Sequence, residues 1–190
     1  MLSEKISRAV QEQNALLATL HLQTETLESF ASQVVEAFHQ GGRLLLLGNG
    51  TLGAIANLIA SNFLHRLSLE RPPLPVLSFS QDMTLATALE RAGLGRQFFA
   101  RQLRVVAQAP DVVLAFADFQ HDVALEEGLA TARQAGCTTA LLQPGRGEPA
   151  GEPTDFLFCL DTDSVPRAME AALFFGNLLC ELVEGELFGI

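Results

Sequence analysis

The run Arg43-Leu44-Leu45-Leu46-Leu47 closes abruptly on Gly48-Asn49-Gly50-Thr51-Leu52-Gly53-Ala54, and a helical pattern begins at once. A short run that is apolar at every position reads as a strand covered on both faces, which confines it to the interior of a sheet flanked by helices. The glycine turn after it presents backbone N–H groups at a helix N-terminus, a place suited to an anion or a polar ligand. Asn49, Gly50 and Thr51 are therefore the first candidate ligand-binding residues.

From Arg43 onward the pattern alternates. Strands are expected at Leu44–Leu47, Val76–Phe79, Val112–Phe116, Thr139–Leu142 and Phe156–Leu160. Helices are expected at Leu52–Arg66, Met83–Leu89, Arg96–Ala107, Val123–Gln134 and Val165–Glu184. Alternation of this kind predicts an α/β fold, a three-layer αβα sandwich around a five-stranded parallel sheet of flavodoxin-like type. Pro72-Pro73 and Pro75 stiffen the entry to the second strand, and Pro144–Pro153 reads as a surface loop.

Ahead of the sheet, Leu2, Ile6, Val10, Leu17 and Leu20 recur at helical spacing, as do Leu27, Phe30, Val34, Val35 and Phe38. A break near Leu22–Thr24 separates two helices, and Gly41-Gly42 ends the second. Residues 1–40 are read as an N-terminal helical arm, serving oligomerisation or packing on its own chain, and 41–190 as the main domain. The last helix is apolar nearly all round, through Ala171-Ala172-Leu173-Phe174-Phe175 and Leu178-Leu179-Cys180, so it needs cover on several sides. The tail Glu186-Leu187-Phe188-Gly189-Ile190 adds large apolar groups where chains usually fray, which points to self-packing or a partner.

Charge and cysteine usage exclude several classes. The net charge is −10 with Lys5 as the one lysine, and the arginines are scattered, so direct nucleic-acid binding is not expected. Met1 to Gln13 is polar, without the apolar core of a secretion signal, and no apolar run is long enough to cross a bilayer. Cys137, Cys159 and Cys180 are far apart and read as reduced core thiols, so a cytoplasmic, non-membrane protein is expected.

The spacing Gly48-x-Gly50-x-x-Gly53 also matches a dinucleotide fingerprint. The acidic residue which that fingerprint needs about 20 positions on is misplaced, since Glu70 precedes the second strand and Asp82 follows it. No cofactor is expected. In a 2-1-3-4-5 strand order, the first loop and Ala117-Asp118-Phe119-Gln120-His121-Asp122 would flank the point where the order reverses, which is where open parallel sheets bind ligands. Asp118, Gln120 and Asp122 complete the candidate ligand set, although two carboxylates there would repel a phosphate. Alternatively, Asp118 caps the following helix and Asp122 lies in its first turn. His121 is a candidate general base or a solvated first-turn residue. His21, His39, His65 and His121 are isolated, no metal-ligand spacing occurs, and no Ser/His/Asp set is evident.

Gly41-Gly42-Arg43 followed by Leu47-Gly48-Asn49-Gly50-Thr51 resembles the first strand and ligand loop of the sugar isomerase (SIS) domain family. The resemblance spans nearly the whole chain and is strongest to the branch holding phosphoheptose isomerase and the DnaA initiator-associating protein. Ala60-Ser61-Asn62-Phe63, Glu70-Arg71-Pro72-Pro73-Leu74-Pro75, Leu179-Cys180-Glu181-Leu182 and Leu187-Phe188 look more like the initiator-associating type. The resemblance implies a SIS fold, a homo-oligomer, with a tetramer expected, and a sugar-type ligand.

Isomerases of this branch carry a Ser/Thr-rich phosphate loop after the third strand. They also place His and Glu in the first sheet helix and Gln and His in the last, for metal binding or acid–base work. At the matching positions this chain has Ala117–Asp122, Leu58, Asn62, Met169 and Asn177. Leu and Met cannot transfer protons and Asn has no useful pKa, so no catalytic and no metal-binding residue is expected. The resemblance then implies a catalytically degenerate, regulatory SIS protein that docks on a partner, the replication initiator being the candidate, through Arg71, Leu187 and Phe188. The alternatives are a phosphosugar isomerase acting on sedoheptulose 7-phosphate and a phosphosugar-binding regulator.

Overall fold

Two strands covered on both faces organise the molecule. The computed structural model describes residues 2–67, 70–145 and 151–189. The elements run α1 (Leu2–His21), α2 (Thr24–His39), β1 (Leu44–Gly48), α3 (Gly50–Leu64), β2 (Val76–Ser78), α4 (Met83–Arg91), a short 3-10 turn (Gly95–Gln97), α5 (Phe98–Val106), β3 (Val112–Phe116), α6 (Val123–Gln134), β4 (Thr138–Pro144), β5 (Phe156–Leu160) and α7 (Val165–Phe188). The strands form one five-stranded sheet in the order β2-β1-β3-β4-β5. Every pairing is parallel, with Leu44 beside Val76 on one side and Val112 on the other.

Strand alternation divides the core in two. Leu44, Leu46, Leu114 and Phe116 face α2, α3 and α7, whereas Leu45, Leu47, Val113 and Ala115 face α5 and α6. Full burial of each such leucine contributes about 1.5–3 kcal/mol. Leu44 through Leu47 are all 0% exposed, which is why the run shows no polar break. On the first face, Phe158 lies between Phe30 and Phe175, with ring centroids 5.6 and 4.7 Å away.

The α3–α7 contact is close because Gly176 carries no side chain; a Cβ there would run into Ile59. α7 continues to Phe188 and ends at Gly189 in the left-handed region, φ 73°. Leu187 and Phe188 thus belong to its last turn and do not lie beyond it: Leu187 packs against the core, and Phe188 stays 40% exposed. The expected helix at Arg96–Ala107 starts instead as the 3-10 turn and becomes α-helical at Phe98. Of the Pro144–Pro153 stretch, residues 146–150 lie outside the described residues, and Pro144 itself ends β4.

The first forty residues divide in their behaviour. α2 packs on the sheet, with Phe30 and Val34 in the same core as β1. At the α1–α2 junction the Gln23 amide donates to the Cys159 carbonyl at 2.9 Å and accepts from the Cys159 N–H at 3.0 Å. A side chain thereby pairs part of the free edge of β5, an edge that otherwise invites another strand. The first half of α1 is different: Leu2, Ile6 and Val10 stay 80%, 67% and 54% exposed. Among the described residues, no helix is long and apolar enough to cross a membrane.

Arg71 corrects one expectation. It was expected on a partner-binding surface, but its side chain is 1% exposed and pairs with Glu184, itself 4% exposed, at 2.7 Å. Its remaining N–H groups go to the Phe63 carbonyl at 2.7 Å and the Asn62 carbonyl at 3.0 Å. These are among the last carbonyls of α3, which have no partner within the helix. Arg71 is an internal cap that ties α3 to α7. Removing one member of such a pair leaves an uncompensated buried charge, at about 3–5 kcal/mol. Glu184→Ala is expected to lower the denaturant midpoint accordingly in equilibrium unfolding, and a loss below about 1 kcal/mol would show that the pair behaves as a surface one.

Candidate functional site

The glycines of the first loop serve backbone approach. A Cβ on Gly48 would lie 2.7 Å from the Leu52 carbonyl oxygen, and one on Gly53 2.7 Å from the Gly48 carbonyl oxygen. Gly50 opens α3 at φ 54°. The fingerprint spacing is thus accounted for by fitting α3 tightly against the end of β1. Asn49 holds the N-cap position of α3, but its side chain makes no capping bond to that helix. It turns instead to the second loop, where Nδ2 donates to Asp122 Oδ2 at 2.6 Å.

The second loop is ordered by its own carboxylates. Asp122 is the N-cap of α6, with Oδ1 accepting from the N–H groups of Ala124 and Leu125 at 2.9 and 3.1 Å. Asp118, the expected cap, instead accepts from the Gln120 N–H at 2.7 Å and closes a turn within the loop. The cap read from the sequence for Asp118 is thus supplied by Asp122, and Asp118 stays in the loop ahead of the helix. His121, just ahead of α6, has Nε2 2.8 Å from Glu126 Oε1 at the surface.

Three hollows meet around these loops. A cavity of about 70 Å³ is lined by Asn49, Thr51, Asp118, Phe119, Met169 and neighbouring apolar residues of β3, β4, β5 and α7. A cleft of about 580 Å³ beside it is lined by Asp118, Gln120, His121 and Asp122 with Glu126 and Arg133. A wider hollow of about 1050 Å³ opens on the other side of Asn49 and Gly50, with Asn57, Ser80, Arg96 and Asp122 at its wall. The candidate ligand residues thus gather at the C-terminal ends of β1 and β3, but only Asn49, Thr51 and Asp118 line the small cavity, while Gly50, Gln120 and Asp122 line the hollows beside it.

Two polar residues were not singled out from the sequence. Ser80 Oγ donates to the Gly48 carbonyl at 2.7 Å and accepts from the Gly48 N–H at 3.1 Å. Ser78 Oγ donates to Asn57 Oδ1 at 2.6 Å. Their signal was the Ser78-Phe79-Ser80 stretch at the carboxyl end of β2, since that end of each strand faces the ligand crevice.

Along the α3–α7 seam, Asn62 Nδ2 donates to Asn177 Oδ1 at 2.9 Å. Leu58, one turn earlier on α3, is 48% exposed, and Met169 packs half-buried against the core. Cys180, deeper in the seam, is held protonated: burial, and next the Glu184 charge, push its thiol up to about 12. Burial, and next Asp111, push Cys137 up to about 11. Among the described residues, no group of His, Cys, Asp or Glu is placed to hold a metal ion.

Comparison with known proteins places this geometry in context. Residues 10–142 match the SIS domain family. A phosphoheptose isomerase of Trichlorobacter lovleyi is 30% identical over 97% of this chain and 95% of its own length. A phosphoheptose isomerase of Pelobacter propionicus is 33% identical over 85% of this chain and 86% of its own. Among solved structures, a phosphoheptose isomerase from Francisella tularensis superposes with a TM-score of 0.88 at 21% identity, covering 96% of this chain and 98% of that one. The last comparison speaks for the fold alone.

The two buried thiols have a measurable consequence. Their folded values lie above the ordinary 9.0, so unfolded chains ionise first as pH rises. Their contribution to stability is complete below pH 9 and is lost as pH climbs toward 11–12. Denaturation midpoints are expected to fall across that interval, and Cys180→Ala should flatten the fall. In the folded protein at pH 8, alkylation read by mass spectrometry should spare Cys137 and Cys180; rapid labelling of either would contradict the burial described.

Proposed function

Because the chain belongs to the SIS domain family, we propose that it is a ligand-binding protein of the phosphoheptose isomerase branch that has lost the isomerisation step and acts in a regulatory, partner-binding role. The observation that carries this is the Asn62–Asn177 hydrogen bond on the α3–α7 seam, with Leu58 one turn earlier on α3 and Met169 two turns earlier on α7. Aldose–ketose isomerisation moves a proton between neighbouring carbons and needs a base and an acid poised near neutral pH. Two amides, a leucine and a methionine supply neither. The pairing engages one Asn62 N–H and the Asn177 amide oxygen with each other, tying α3 to α7.

A second reading, an active phosphoheptose isomerase, has observations of its own. The curated relatives bearing that name match nearly end to end, and the comparisons favour this reading over any regulatory one. Asp118, a carboxylate at the small cavity, is also a conceivable base. Against it stands the rule that a fold shared at this level does not transmit chemistry; the side chains do.

The regulatory role implies partners. A homo-oligomer is proposed, supported by the exposed apolar row Leu2, Ile6 and Val10 and by Leu58 and Phe174, 48% and 44% exposed beside the seam. Docking on a replication initiator has thinner support, because Arg71 is internal and Leu187 is half-buried, leaving Phe188 as the exposed member of the expected trio. Light scattering at micromolar concentration is expected to report a dimer or larger, and a stable monomer would remove the oligomer proposal.

The decisive assay is isomerisation of sedoheptulose 7-phosphate by the purified protein. The expected result is no turnover above background. Turnover abolished by Asp118→Asn would overturn the reading and install the isomerase in its place.

A further inference from the structure

The small cavity at the ends of β1 and β3 has an apolar floor under a mixed rim. Leu52, Phe116, Leu142, Leu160, Ala168 and Ala172 line it and are all buried. Its polar lining comes from the exposed residues Asn49, Thr51 and Asp118. Beside these, Phe119 and Val165 stand 43% and 55% exposed and carry the apolar wall outward to the mouth. Apolar walls with a few polar groups are the ordinary make-up of a small-molecule site. Asp118 and Phe119 also line the cleft of about 580 Å³, so the two spaces adjoin.

We propose that this cavity is a methyl subsite: it selects a sugar that carries a methyl group, on a deoxy carbon or in an N-acetyl group, over the same sugar without it. The inference rests on the ligand-binding reading above and adds the group by which the ligand is recognised. Size sets the first limit. An apolar cavity of about 150 Å³ holds a benzene, so one of about 70 Å³ suits a methyl or ethyl group. Polarity sets the second. A hydroxyl sent to the floor would leave water for a wall without a polar side chain, whereas a methyl gains by the same transfer. The ring then occupies the adjoining cleft, and its hydroxyls meet Asn49, Thr51 and Asp118 at the rim, where a carboxylate accepts and a threonine hydroxyl does either.

The test is calorimetric titration of the full chain with two matched pairs: L-fucose against L-galactose, and N-acetyl-D-glucosamine against N-formyl-D-glucosamine. The members of each pair differ in one group, methyl against hydroxymethyl or hydrogen. In at least one pair the methyl-bearing sugar is expected to bind at least about tenfold more tightly, and the pair that shows it identifies the source of the methyl. Its binding should shift the methyl resonance of Met169, which lines the cavity. Ala168→Leu fills the cavity from its floor and should abolish the preference. Should that variant fail to fold by circular dichroism, Phe119→Ser, at an exposed position of the rim, is expected to weaken it. No preference in either pair, no shift at Met169, or a preference unchanged in the folded variant would each overturn the proposal. Equal binding within both pairs would overturn this inference alone. No binding of these four sugars or of sedoheptulose would overturn the ligand-binding reading with it, and turnover of sedoheptulose 7-phosphate would overturn the non-isomerising reading while leaving the methyl subsite in place.

Discussion

Burial of β1 and β3 on both faces is the constraint from which the rest follows. Each residue of these strands is buried, and their side chains divide alternately between two separate apolar layers. No polar side chain that must meet a ligand can lie within such strands without an unmet desolvation cost. Polar groups are therefore displaced to the strand ends, and the parallel arrangement gathers the carboxyl ends on one side. The order β2-β1-β3-β4-β5 then makes the chain leave β1 and β3 toward opposite faces, which opens a crevice between their loops. The position of Asn49 against Asp118 and Asp122 is a consequence of that topology.

What lines the crevice is set by this chain's own loops and helix seam. The family supplies the scaffold, and the loops and the α3–α7 seam supply the chemistry. Here the seam holds an amide pair, and the second loop holds carboxylates that cap α6 and close a turn. On the reading proposed above, an amide pair supplies no acid or base near neutral pH, and the loop carboxylates serve the backbone around them. Arg71 is committed to the far end of α3 and to Glu184.

The elements of the sheet were legible because their signals are local. The apolar runs, the glycine turn after β1 and the 3.6-residue spacing of α2 and α6 each depend on a few neighbouring residues. The strand order was readable as a hypothesis for the same reason. The site was less so, because it is made by pairs distant in sequence. Asn49 and Asp122 lie 73 residues apart, and Arg71 and Glu184 lie 113 apart. No spacing rule links them, so Arg71 was read as a surface residue when its carboxylate partner makes it an interior one. Asp118 reads as the cap because both aspartates are good caps, and the choice falls to Asp122 by where α6 begins, at Val123. The length of α7 was underestimated because Glu184, which looks like a polar end, is buried by that same ion pair.

The account turns on whether the Asn49–Asp122 bond is a true link between the two loops in solution. A double-mutant cycle on unfolding free energy, with Asn49→Ala, Asp122→Ser and the pair, measures that directly. The account predicts a coupling energy of at least about 0.5 kcal/mol, the lower range for residues in direct contact. Additivity within experimental error would contradict it, showing that the two loops are independent and that the Asp122 carboxylate acts on α6 alone.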